Sequence, residues 1–235
     1  RHKLFSFINV LGLAIGLAVC MVIGLWVQRE LSYDHMHEKA DRIYRVEREL
    51  FRDNLYSRWP VSSGKYKHAL LDDYPEIENA VRLWSQEFVV KDRNNDIHRQ
   101  PMFAVDNSFF EIFDFGLEEG DEKLALTDPK TVVLTRKKAV KYFGNQDPIG
   151  QPLSLEWEGE PVDFTVTGIL EEIPDASHVH FDMLMSIASF PDERFASIRA
   201  NYLYTYVLLK QGVSKRALET KLKSFVERRL EPYYG

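Results

Sequence analysis

The chain has 235 residues, of which 45% are hydrophobic, 13% aromatic and 28% charged. Those proportions exclude a disordered, collagen-like or low-complexity protein, and the length lets one large domain or two smaller ones bury a core without a disulfide or metal staple. The single Cys20 cannot close an intrachain disulfide, and its apolar neighbours argue against a metal ligand.

Charge is distributed unevenly. No charged residue occurs from Leu4 to Val27, a run whose only plainly polar members are Ser6 and Asn9. As a helix it is about 36 Å long, enough to cross a hydrocarbon core of about 30 Å with some tilt. Residues 1–27 hold Arg1 and Lys3 and no acid, so the remainder carries 28 basic and 36 acidic side chains, a net charge of −8. An acidic remainder is a poor polyanion binder, which excludes nucleic acid as the expected partner.

A cleaved signal peptide is the competing reading, since Arg1, His2 and Lys3 also make a positive start. Its apolar core runs to about 7–15 residues, whereas this run continues to Trp26 and Val27 before Gln28, Arg29 and Glu30, so a retained span is preferred. Trp26 and Arg29 stand where interfacial anchors belong, and the basic start places the amino end in the cytoplasm, with residues after about 30 outside it. Gly12, Gly16, Cys20 and Gly24 recur every fourth residue. On a helix they form one stripe of small side chains that admits close packing of another helix, although glycine is also simply common in membrane helices.

After the span the pattern is mixed α and β. Residues 29–40 extend the helix as a stalk, and Ile43–Phe51 alternates loosely like a strand. Ser62 or Ser63 caps a helix running to Tyr74, with Pro75 as its stop. Ala80–Val90 and Met102–Val105 read as strands joined through a polar cluster at residues 92–96. Phe109, Phe110, Phe113 and Phe115 read as core packing, on a short helix begun at Asn107 or Ser108. Thr131–Leu134 is a strand, Thr135 a cap, and Ala139, Val140 and Phe143 the buried face of a helix closed by Gly144. Strands follow at Leu153–Trp157, Val162–Leu170, Phe181–Ile187 and Tyr202–Lys210. Ser214 then caps an amphipathic helix with Leu218, Leu222, Phe225 and Val226 on one face.

Catalytic constellations are missing from the sequence: there is no GxxxxGK[ST], GxGxxG, GxSxG, HExxH or CxxC. His178 and His180 would point the same way in an extended segment, as metal ligands do, but no further ligand has suitable spacing. His35 and His37 would not face each other on a helix. Glu118 with Glu119, and Glu171 with Glu172, are acid pairs, yet neighbours in extended chain face opposite ways. These groups are therefore read as structural.

Five blocks then carry a resemblance: INVLGLAIGLA, SYDHMHEKADRIYRVE, VDNSFFEIFDFGLEEGD, TVVLTRKKAVKYFGNQDPIGQPL and FTVTGILEEIPDASHVHFDML. In this order they are similar to the amino-terminal part of a MacB/FtsX-type ABC transporter permease, over about residues 9–230. The resemblance implies an α+β fold: one N-terminal transmembrane helix within residues 1–27, a stalk extension at 28–41, and a mixed α/β MacB-like periplasmic core domain at 42–235. That domain has βαβ-type lobes at about 42–105 and 181–230, with a mixed insertion at about 106–180.

It further implies a permease component of the inner membrane with no cofactor in this segment, ATP and Mg being bound by a separate cytoplasmic ABC ATPase. Motion would pass from that ATPase to the periplasmic domain, for export or for envelope-directed mechanotransmission. A permease dimer, membrane lipids and a periplasmic adaptor are the other partners it implies. Two other classes remain open: a single-span anchored binding or sensor module, and an anchored hydrolase, for which the needed nucleophile or metal set is not found.

Overall fold

The computed structural model of the protein describes residues 3–31, 36–52, 55–92, 96–174, 177–198 and 200–230. It begins with helix α1, Lys3–Leu31, whose residues 3–28 are exposed all round. Of the helical stalk expected at 29–40, residues 29–31 continue α1. Residues 32–35 lie outside the described residues, while Met36–Lys39 form turns and Ala40–Arg42 a single 3-10 turn. These residues are tied to the domain through bonds to Asp114, Glu111 and the Leu209 carbonyl.

The strand expected at Ile43–Phe51 is two strands, β1 (Ile43–Arg45) and β2 (Arg48–Arg52), broken at Val46 and Glu47. Strand β2 pairs with β3 (Leu55–Trp59) as a two-stranded sheet of its own. The serines expected to start a helix form strand β4 (Ser62–Ser63), and helix α2 spans Tyr66–Asp73. The Ser62 hydroxyl meets that of Thr205 at 2.8 Å, and Ser63 Oγ accepts the Lys65 N–H at 3.2 Å, so Ser63 shapes the turn into α2 without capping it.

Then come β5 (Ile77–Lys91), β6 (Ile97–Val105), helix α3 (Phe109–Ile112), β7 (Leu117–Gly120) and β8 (Thr131–Thr135). Residues 93–95 of the expected polar turn between β5 and β6 lie outside the described residues. Helix α4 (Arg136–Phe143) ends at Gly144, whose φ of +65° is the left-handed conformation a glycine stop supplies. Its buried residues are Ala139, Tyr142 and Phe143, while Val140 is exposed. Positions i, i+3 and i+4 share a face, and the position after Ala139 lies about 100° round the helix.

Strands β9 (Pro152–Trp157), β10 (Glu160–Leu170), β11 (Met183–Ser186) and β12 (Asn201–Leu209) follow, and helix α5 covers Lys215–Phe225. In α5, Leu218 and Phe225 are buried and Leu222 partly so. Val226 is exposed, because the chain changes there into a π-helical turn, Val226–Leu230, that rotates it off the inner face.

The strands form one sheet in the order β1-β12-β5-β6-β11-β8-β10-β7, with β4 added to β12. Strand β9 pairs with both β10 and β5, so β5, β6, β11, β8, β10 and β9 close into a ring. Alternate apolar residues point into it from every strand, from Phe88 and Met102 to Met185, Val132, Phe164 and Leu155. A second cluster on the outside of β5, β6, β11 and β8 holds the phenylalanines of residues 109–115, and a third packs α2 and α5 on β5 and β12. The larger sheet therefore takes strands from residues 42–105, 106–180 and 181–230 alike. At β7, Gly120 has φ +108°, and an added Cβ would lie 2.5 Å from the Thr167 carbonyl oxygen.

Candidate functional site

The residues expected to pack in the membrane all lie on the uncovered surface of α1. A Cβ on Gly12, Gly16 or Gly24 would meet nothing within 4 Å, Cys20 is exposed, and Trp26 is 63% exposed. Arg29 belongs to the helix, and its side chain lies outside the described residues. A helix of this length and composition satisfies its backbone polar groups internally, which suits it to hydrocarbon and leaves its apolar surface for lipid or other helices.

Inside the domain, charge concentrates where two apolar clusters meet on one side of β5. Ala80 belongs to the α2–α5 cluster and Trp84 to the ring interior, and Arg82 lies between them, 8% exposed. Asp106, at the end of β6 and 5% exposed, accepts the Arg82 backbone N–H at 2.7 Å, Arg82 Nε at 3.1 Å and Arg82 Nη2 at 2.7 Å. Lys67 Nζ of α2 stands 3.2 Å from the same carboxylate, and Arg82 Nη1 donates to the Gly64 carbonyl at 3.3 Å. Burial raises the Asp106 pKa, but hydrogen bonds and charge from Arg82, with Lys67, hold it below the usual carboxylate range. Burial pushes the Lys67 ammonium and the His68 imidazole down. The network joins α2, β5 and β6 and presents no carboxylate free to act as a base. A lone arginine within the apolar run AVRLW was the sequence signal for it, and its partner 24 residues on was not visible there.

A cleft of about 820 Å³ opens beside β6, between that strand, the start of α4 and the segments after β10 and before β11. Lys138 bridges its edge, donating to Gln100 Oε1 at 2.5 Å and standing 3.2 Å from Asp182 Oδ2. The adjacent Glu118 and Glu119 both reach one guanidinium, at 2.6 and 2.5 Å from Arg136 Nη2, which makes them its ion-pair partners. His180 lines this cleft, whereas His178 lines a different recess and bonds the Tyr206 hydroxyl at 3.0 Å, so the two imidazoles do not converge. His35 lies outside the described residues, and His37 is buried. Among the described residues no group of three His, Cys, Asp or Glu is placed to hold a metal ion.

A long apolar helix joined to a sheet-rich α+β domain is the architecture of a membrane-anchored protein. The family model described as the MacB-like periplasmic core domain matches residues 6–225. Among solved structures, a domain from a Porphyromonas gingivalis protein described as a permease superposes with a TM-score of 0.70 at 22% identity, covering 84% of this chain and 85% of that one. The periplasmic region of MacB from Actinobacillus actinomycetemcomitans superposes with a TM-score of 0.50 at 15% identity, covering 67% of this chain and 69% of that one. No curated protein matches the chain. The chain belongs to the MacB-like periplasmic core domain family, the extracytoplasmic domain of ABC-transporter permeases.

Proposed function

We propose that this chain is the part of an ABC-transporter permease that converts ATP hydrolysis by a cytoplasmic partner ATPase into motion of an extracytoplasmic domain, for export or for envelope-directed mechanotransmission. One observation carries the reading: a single family match takes in the membrane helix and the domain together, from residue 6 to residue 225. In this reading the amino end of α1 is cytoplasmic, Trp26 and Arg29 mark the outer interface, and Gly12, Gly16, Cys20 and Gly24 receive a neighbouring helix of a permease dimer. Lipids surround the helix, a periplasmic adaptor meets the domain, and ATP and Mg stay with the ATPase.

Both ends of the described domain are fastened beside the α2–β5 corner. At the first, Arg42 Nη1 holds Glu78 Oε2 at 2.8 Å and the Leu209 carbonyl at 2.7 Å. At the second, Arg229 Nη2 holds Asp73 Oδ1 at 2.6 Å, and Leu230 is buried against the α2–α5 cluster. The division into lobes at about 42–105 and 181–230 with an insertion at about 106–180 remains part of this proposal.

Affinity isolation of the full-length parent protein from mild-detergent membranes tests the proposal. A co-purifying ATPase subunit with vanadate-sensitive ATP turnover is the expected result. A lone, ATP-silent protein would refute it and favour a single-span anchored binding or sensor module.

A further inference from the structure

Residues 3–28 of helix α1 are exposed all round, so movement of the helix reaches the domain through the residues fastened to the sheet beyond it. Among the described residues that follow the helix, Met36 packs partly buried against the aromatic cluster, and His37, 4% exposed, is the first that is buried. Its ring lies 5.4 Å from Phe113 and 5.0 Å from Phe115, edge-on to the latter. Its Nδ1 accepts the Asp114 backbone N–H at 3.0 Å, and in return the Glu38 backbone N–H donates to Asp114 Oδ2 at 2.7 Å. Lys39 Nζ adds a bond to the Glu111 carbonyl at 2.7 Å. From the two phenylalanines the contact continues into the sheet, Phe113 meeting Tyr206 of β12 at 5.2 Å and Phe115 meeting Phe181 at 5.0 Å.

Reciprocal bonds between two short segments, closed over a buried ring, resist displacement in every direction, unlike a single ion pair at the surface. An imidazole suits this place because one ring supplies both an aromatic body and a backbone acceptor. From this we infer that His37 is the positioning residue through which displacement of the membrane helix reaches the sheet. The inference rests on the coupled-motion reading above and names the contact that reading needs.

The test is amide hydrogen exchange on the full-length permease with its ATPase, with and without ATP and vanadate. In the wild type, nucleotide is expected to change exchange in β5 and β12. In His37→Ala that change should shrink about fivefold, the factor expected when one buried hydrogen bond is lost, while ATP hydrolysis persists and the melting temperature falls by a few degrees without loss of the fold. His37→Asn keeps an acceptor at the Nδ1 position and should restore about half of the response or more, whereas His37→Phe, which keeps only the ring, should restore less. A His37→Ala protein that passes the nucleotide-dependent change undiminished overturns the inference and leaves the reading of function intact. A wild-type complex with no nucleotide-dependent change anywhere in residues 36–230 overturns the coupled-motion reading, and the role of His37 with it.

Discussion

Replacing Asp106 with alanine removes the centre of the buried network. The carboxylate takes three hydrogen bonds from Arg82 and stands 3.2 Å from Lys67 Nζ, and both cations are at most 9% exposed. Without it two buried cations face each other with no anion between them, a situation that costs about 3–5 kcal/mol. For a protein of this size that corresponds to a fall in melting temperature of about 10 °C. Asp106→Asn keeps an acceptor of the same shape and should cost less than Asp106→Ala. Thermal unfolding of the detergent-solubilised chain, followed by tryptophan fluorescence, reads the effect near the network, because Trp84 packs against Phe195, over which Arg82 stands. The sign with pH follows from the depressed Asp106 pKa. Its contribution is fully present above the unfolded carboxylate range, about pH 3.9, and is lost as pH falls through the lower folded value. Wild-type stability should therefore fall more steeply below about pH 4 than that of Asp106→Asn. A loss under about 1 kcal/mol in Asp106→Ala, the size of an exposed ion pair, would refute the argument.

Three other outcomes are expected. Gly120→Ala should destabilise the domain by about 2 kcal/mol or more, from its positive φ and the contact of the new Cβ with the Thr167 carbonyl, and an unchanged melting curve would contradict this. Tyr142 is 5% exposed, and its hydroxyl has no hydrogen-bond partner among the described residues; burial, with Asp182 and Asp92, pushes its pKa up to about 12. Tyr142→Phe should thus change stability by no more than about 0.5 kcal/mol, whereas a loss above about 1.5 kcal/mol in urea unfolding would reveal a bonded hydroxyl. Gly16→Leu fills the stripe on α1 and should lower both the recovery of assembled permease and its ATPase coupling, and if both are unchanged the glycines are ordinary membrane filler.

Much of the architecture was legible along the chain. The strands at Thr131–Leu134, Leu153–Trp157 and Val162–Leu170 and the helix ending at Gly144 follow from local patterns, since alternation and turn chemistry act over a few residues. The phenylalanines of residues 109–115 were legible as core for the same reason, and Phe109 and Phe113 are almost fully buried. Other elements depended on distant partners. Ser62 and Ser63 have good helix-capping chemistry, but β12 takes them as a strand, because pairing across more than a hundred residues outweighs a cap. Residues 29–40 looked like a continuation of the membrane helix, and from Met36 onward turns replace it, with Glu38, Lys39 and Arg42 anchored to Asp114, Glu111, Glu78 and Leu209.

The sequence by itself determined the membrane helix, the mixed α and β character of the rest and the family resemblance, since apolar run length and local periodicity are properties of neighbouring residues. Only the tertiary structure decided that β9 closes a ring between β10 and β5, that Asp106 meets Arg82 and Lys67, and that His37 enters the aromatic cluster. Each of these joins residues far apart in the chain. Such pairs are selected by the shape of the packed core and by the cost of leaving a buried charge or backbone group unpaired, neither of which is written in local sequence.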